Sequence, residues 1–192
     1  MSFHHIFPDI VYKTKIADSE IIKKKFADKI INKFLHAPNE QADWGRLCDT
    51  WQVPANKEIE KLYYLYFEKH IAEWFRYFGF PDLNLRTDMW INVHTYNMYQ
   101  EIHSHIAPSV ILCGNYNLQL NEKDSPLLFC KRNKYLDIMS SFIPLENTSK
   151  IDMNAVEGDL LLFSPDQEHF VPRAKEKHDG HRITISFNVR ST

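Results

Sequence analysis

Cysteine, glycine, long apolar runs and an excess of either charge are all scarce in this chain, and each scarcity removes a class of protein. Three cysteines, Cys48, Cys113 and Cys130, stand at wide, unpatterned spacing, which argues against a disulfide framework and a zinc ribbon and fits a reducing compartment. Lysine and arginine number 23 against 25 acidic residues, for a formal net charge of -2, so no nucleic-acid or anionic-membrane partner is expected. The apolar runs are short and broken by charge, and Met1 to Pro8 lacks a basic region followed by an apolar signal core. A soluble, cytoplasmic protein is therefore expected. With 5 Gly against 9 Pro, 44% hydrophobic and 14% aromatic residues, the composition is that of an ordinary globular protein with a thick aromatic core. A length of 192 residues suits one domain spanning 1–192.

Periodicity divides the chain in two. After Ala17-Asp18-Ser19, the residues Ile21, Ile22, Phe26, Ile30, Ile31 and Phe34 recur at helical spacing, with Lys23, Lys24, Lys25 and Lys29 mostly between them on a solvated face. A second helix is expected from about Asn56 to Tyr77, with Ile59, Leu62, Tyr63, Tyr66, Ile71, Trp74 and Phe78 on a core-facing stripe and Gly79 ending it. Asp43 to Trp51, between them, reads equally as a surface loop pinned by tryptophans or as a substrate-facing loop.

From Trp90 the period becomes two, with Trp90, Asn92, His94 and Tyr96 alternating with Ile91, Val93 and Thr95. Further strands are expected at Val110 to Leu120, Leu127 to Cys130, Asp159 to Phe163 and Arg182 to Val189, whereas Asn121 to Asn154 suits a long loop or lid. The fold class is thus mainly β with N-terminal helices: helical support over about 17–80 and a jelly-roll core over about 86–190.

The chemistry concentrates in four residues. On a strand, residues two apart share a face, so His103 and His105 of His103-Ser104-His105 can grip one metal ion, with His169 closing the site from elsewhere. Neutral imidazole suits iron, zinc, copper and nickel alike, so these ligands do not choose the metal. Glu101 falls on the same strand face by parity and is an alternative ligand, as is a water. In the last strand Arg182, Thr184, Ser186 and Asn188 share one face, and Ile183, Ile185, Phe187 and Val189 the other. If helices cover the apolar face, the polar one lines the barrel. An arginine buried there asks for an anionic ligand, and a carboxylate fits its bidentate geometry.

His178 and His181, in Lys177-His178-Asp179-Gly180-His181, read as solvated loop residues, and His4, His5, His36, His70 and His94 show no partner pattern. Cys113 and Cys130 read as small buried side chains.

The order His103, His169 and then Arg182, thirteen positions on, resembles the Fe(II)/2-oxoglutarate-dependent dioxygenases. More narrowly, Trp90-Ile91-Asn92, His103-Ser104-His105, Gly114-Asn115-Tyr116, Gly158 to Phe163 and Arg182 to Asn188 resemble a prolyl-4-hydroxylase-like subfamily frequent in marine bacteriophages. The resemblance implies that His103 and His169 bind Fe(II), that Arg182 with Thr184 holds the distal carboxylate of 2-oxoglutarate, and that Tyr116 assists. It implies hydroxylation of a C–H bond in a peptidyl proline, another protein side chain or a small molecule, in a host cytoplasm if the chain is phage-encoded. His105 departs from the pattern, standing where the superfamily has a carboxylate; three neutral ligands should weaken iron retention. Two other readings share the His-x-His opening: a cupin-like three-histidine dioxygenase without 2-oxoglutarate, and a non-catalytic jelly-roll binding protein with a structural zinc.

Overall fold

A computed structural model describes residues 9–37, 50–80, 83–130 and 150–192. Most of the expected loop at Asp43 to Trp51, and residues 131–149 of the expected lid, lie outside the described residues.

The first helix, α1 (Ser19–His36), buries Ile22, Phe26, Ile30 and Phe34, one residue per turn, against the sheet. Each such side chain contributes roughly 1.5–3 kcal/mol by leaving water. Its lysines are not all free: Lys23 meets Glu157 at 2.7 Å, and Lys25 meets Glu58 at 3.2 Å. The second helical stretch starts at Asn56, whose side chain accepts the amides of Glu58 and Ile59, both at 3.0 Å. It runs through α2 (Lys57–Leu62), a π-helical turn at Tyr63–Phe67 and α3 (Glu68–Tyr77). Gly79, at φ +69°, ends it in a conformation that residues with a Cβ rarely adopt.

Among the described residues, ten strands make two antiparallel sheets. β1 (Val11–Lys15), β2 (Trp51–Pro54), β3 (Leu85–His94), β5 (Val110–Gln119), β8 (Asp159–Phe163) and β10 (Arg182–Ser191) form the larger, in the order β1-β8-β5-β10-β3-β2. β4 (Gln100–His103), β6 (Leu128–Cys130), β7 (Lys150–Asp152) and β9 (His169–Val171) form the smaller, in the order β4-β9-β6-β7. This is the jelly roll that the alternating pattern predicts, with helices on one outer face.

β10 lies between β3 and β5 and has two unlike faces. Ile183, Ile185, Phe187 and Val189 join α1, α2 and α3 in the main core. Gly114 of β5 pairs with Phe187, and a Cβ on it would fall 2.1 Å from the ring. That close approach seats Phe187 against Phe67 of the π turn, with stacked rings 5.5 Å apart. A smaller core, with Cys113, Phe129, Leu161, Phe163 and Val171, lies between the two sheets. The polar face of β10 turns toward that side, and the pocket opens there.

Candidate active site

His103 ends β4 and pairs directly with His169, which begins β9. Their ring centroids are 4.3 Å apart. His105 lies just beyond the strand, where its backbone amide donates to the carbonyl of Pro165 at 2.8 Å. Its ring stacks on those of His169 and Trp90, at 5.1 and 5.7 Å. One ring nitrogen from each of the three histidines lies within 4.8 Å of the others.

The protons on these rings follow from their neighbours. His103 Nδ1 lies 2.8 Å from the carbonyl of Glu101, and His169 Nδ1 lies 2.9 Å from the carbonyl of Gln167. A carbonyl only accepts, so both Nδ1 atoms carry hydrogen and the lone pair of each neutral ring lies on Nε2. His105 Nδ1 lies 2.9 Å from Oδ1 of Asn188. Burial lowers the pKa of His103. Burial, reinforced by the neighbouring His103, takes His105 down to about 4. His169 falls well below the ordinary histidine value through burial, then through His103 and His105. All three are therefore neutral imidazoles at pH 7, the form in which histidine ligates a metal.

The alternation expected for β4 is broken. A register shift between Gln100 and His103 puts both on the pocket wall, while Glu101 and Ile102 line a groove on the outer side. Glu101 is not part of the histidine cluster: its carbonyl meets His103 Nδ1, and its charge acts on the same ring.

Arg182 opens β10 opposite His94 of β3 and is fully buried in the same pocket wall. Burial, partly offset by Asp124, lowers its pKa to about 10. Nη1 donates to the carbonyl of Ser125 at 3.0 Å, and Nε has no hydrogen-bond partner among the described residues. Beyond it, Asn92 Nδ2 donates to the hydroxyls of Thr184 at 3.2 Å and Ser186 at 3.0 Å. Asn115 Nδ2 also donates to Ser186, at 3.0 Å, and Gln52 donates to Asn92 Oδ1 at 2.5 Å. Because both hydroxyls already accept, their own protons can point into the pocket. A guanidinium with two hydroxyl donors along one strand face suits an anionic group such as a carboxylate.

Three sequence-based expectations need correction. Tyr116 faces away from the pocket: it belongs to the helix-side core, its ring 5.3 Å from Phe67, with its hydroxyl buried and without a hydrogen-bond partner among the described residues. Asn115, its neighbour in β5, lines the pocket instead. His178 is not solvated: its side chain is 6% exposed and lies 3.2 Å from an equally buried Asp124. His181 packs edge-on against Phe34 with centroids 5.5 Å apart.

The sequence reading also missed His94. Thr50 Oγ1 spends its proton on the carbonyl of Tyr99 and so accepts from His94 Nε2, at 2.9 Å each. That leaves His94 Nδ1 a buried acceptor with no hydrogen-bond partner among the described residues, and the ring pKa is lowered to about 3 by burial and by Arg182. Its place on the polar parity of β3 was visible, but the pairing with Arg182 was not.

Comparison with known proteins supplies the family. A family model described as "Putative 2OG-Fe(II) oxygenase" matches residues 88–188, just over half of the 192-residue chain. The chain belongs to the 2OG-Fe(II) oxygenase family. This oxygenase is an enzyme whose cofactors are Fe(II) and 2-oxoglutarate. Its fold is similar to that of a Pseudomonas putida prolyl-4-hydroxylase, at TM-score 0.66 and 10% identity over 96% of this chain and 94% of that one. It also resembles HygX from Streptomyces hygroscopicus, solved with nickel, 2-oxoglutarate and hygromycin B, at TM-score 0.65, 12% identity, and 96% and 84% coverage. A third similar structure is the collagen prolyl hydroxylase of Paramecium Bursaria Chlorella virus-1 in complex with 2OG, at TM-score 0.59, 14% identity, and 95% and 96% coverage. Among curated proteins, none matches the chain. Among the described residues, no helix of the oxygenase is long and apolar enough to cross a membrane. Family membership sets the oxygenase reading above the cupin-like and non-catalytic alternatives.

The pocket residues fit both cofactors. Three clustered neutral imidazoles suit a divalent iron, and a buried guanidinium with an unpartnered Nε suits a dianionic 2-oxoacid.

Proposed function

We propose that the chain hydroxylates an unactivated C–H bond of a peptidyl proline or another protein side chain, with His103, His105 and His169 holding Fe(II) through Nε2. Arg182 holds the distal carboxylate of 2-oxoglutarate, and Thr184 donates a second hydrogen bond to it. The observation that carries this reading is the presence of the histidine cluster and the buried Arg182 in the walls of one pocket. Bound iron supplies oxygen activation, with 2-oxoglutarate converted to succinate and carbon dioxide.

The chain's own part is positional and electrostatic. Nδ1–H bonds fix the orientation of the imidazoles, Arg182 neutralises the far end of the 2-oxoacid, and Phe163, Val171 and Leu127 keep the pocket wall apolar. The shared fold with two prolyl hydroxylases supports a prolyl substrate. A small-molecule substrate is the second reading, supported by the likeness to HygX with hygromycin B bound.

Anaerobic titration of metal-free protein with Fe(II) and then 2-oxoglutarate tests the cofactor assignment. The visible charge-transfer band that marks a 2-oxoacid chelating iron is expected, and it should disappear in His169→Ala. A band that persists in that variant would place the metal elsewhere. Succinate release on adding proline-rich peptides, with one oxygen gained in peptide mass, tests the substrate class; release only with small molecules would favour the second reading.

A further inference from the structure

His105 is the one ligand candidate not anchored to a main-chain carbonyl. Its Nδ1 instead meets Oδ1 of Asn188 at 2.9 Å, on the polar face of β10 and six positions beyond Arg182. Asn188 Oδ1 also accepts from the thiol of Cys113, at 3.4 Å. The ring is held from two further directions: Trp90 and His169 stack on it, and Pro165 takes its backbone N–H. A side chain held this fully in a pocket wall is preorganised rather than idle.

We propose that Asn188 is the positioning residue of the third metal ligand. Its amide oxygen takes the Nδ1 proton of His105, fixes the tautomer and leaves Nε2 free to ligate beside His103 and His169. The proposal rests on the metal-site reading above and deepens it. In His103 and His169 the peptide backbone performs this task, and no substitution can remove it. At His105 the task falls to a replaceable side chain. An amide rather than a carboxylate partner also keeps the imidazole neutral, so the chain brings three uncharged ligands to the ion. The negative charge needed to balance a divalent metal is then left to the 2-oxoacid.

Anaerobic titration of metal-free protein with Co(II), followed through its visible ligand-field bands, tests this directly. Asn188→Leu should weaken Co(II) binding about 10- to 100-fold, the usual effect of losing such a partner. Asn188→Asp, which retains an acceptor oxygen, should restore wild-type affinity or exceed it. Wild-type affinity in Asn188→Leu would overturn the proposal and leave the metal site standing. No Co(II) binding by the wild-type protein would overturn both. Nitrogen-15 NMR of the imidazoles in the metal-free wild-type protein gives a readout independent of variant folding. The proposal requires the proton of His105 on Nδ1, and a proton on Nε2 would overturn it.

Discussion

Replacing Arg182 with Met should make the ligand-free protein more stable and abolish its response to 2-oxoglutarate. Arg182 is only 2% exposed, and burial lowers its pKa from the ordinary guanidinium value to about 10. At about 1.4 kcal/mol per pH unit, keeping the guanidinium charged there costs about 3 kcal/mol. Among the described residues, one hydrogen bond to Ser125 and the charge of Asp124 offset part of that cost. Methionine has similar length and carries no charge to desolvate. Exchanging a buried ion for an apolar isostere often stabilises a fold by about 1–4 kcal/mol. Allowing for the lost Ser125 bond, the expected gain is about 1–3 kcal/mol, or roughly 2–10 °C in Tm for a chain of this size.

Thermal unfolding with a redox-silent divalent metal, with and without 2-oxoglutarate, measures both effects. At about a hundred times Kd, the 2-oxoacid should add about 2.7 kcal/mol to the wild-type protein and nothing to the variant. A ligand-free variant less stable than wild type would show that the guanidinium serves the fold, and an unchanged 2-oxoglutarate response would remove Arg182 from the site.

Gly114→Ala should cost about 1–3 kcal/mol or more in urea unfolding, because its Cβ would lie 2.1 Å from the Phe187 ring, and unchanged stability would mean that this ring shifts freely. Asn92→Leu removes the donor to both Thr184 and Ser186 and should raise the 2-oxoglutarate requirement while leaving Co(II) affinity alone; a weakened Co(II) site would indicate general damage. Acid should weaken the metal-free fold through His94, whose folded pKa of about 3 lies below an unfolded value near 6.5. The unfolded chain binds the extra proton between these values, so this contribution is complete above about pH 6.5. It is lost at about 1.4 kcal/mol per pH unit as pH falls toward 3. His94→Gln should flatten that part of the stability profile, and an identical slope would assign it to other groups.

Legibility in the sequence followed the contrast between strand faces. β10 alternates apolar with polar residues through its whole pocket-facing length, so both its position and its two roles could be read directly. β5 is buried along nearly all its length and carries side chains into both cores. Parity there cannot say which face meets the pocket, so the role that the resemblance implies for Tyr116 had no local pattern to check it. β4 and β9, at four and three residues, are too short to show a period, and the bulge in β4 overrides the parity that grouped Glu101 with the histidines. His94 and His178 depend on partners 88 and 54 positions away, Arg182 and Asp124, which no local pattern reveals. The helical stripe from Ile59 to Trp74 was legible as core, but the π turn within it was not.

β10 also acts as a ruler. Arg182 and Asn188 stand six residues apart on one face of a strand hydrogen-bonded on both sides. At about 3.4 Å per residue, the strand sets a span of roughly 20 Å between the proposed oxoacid anchor and the proposed support of the metal ligand. Inserting or deleting one residue between them would turn one end out of the pocket while the other stayed, uncoupling the two halves of the site in a single step. Length drift should therefore be tolerated in the connections around β10 and excluded from the strand itself.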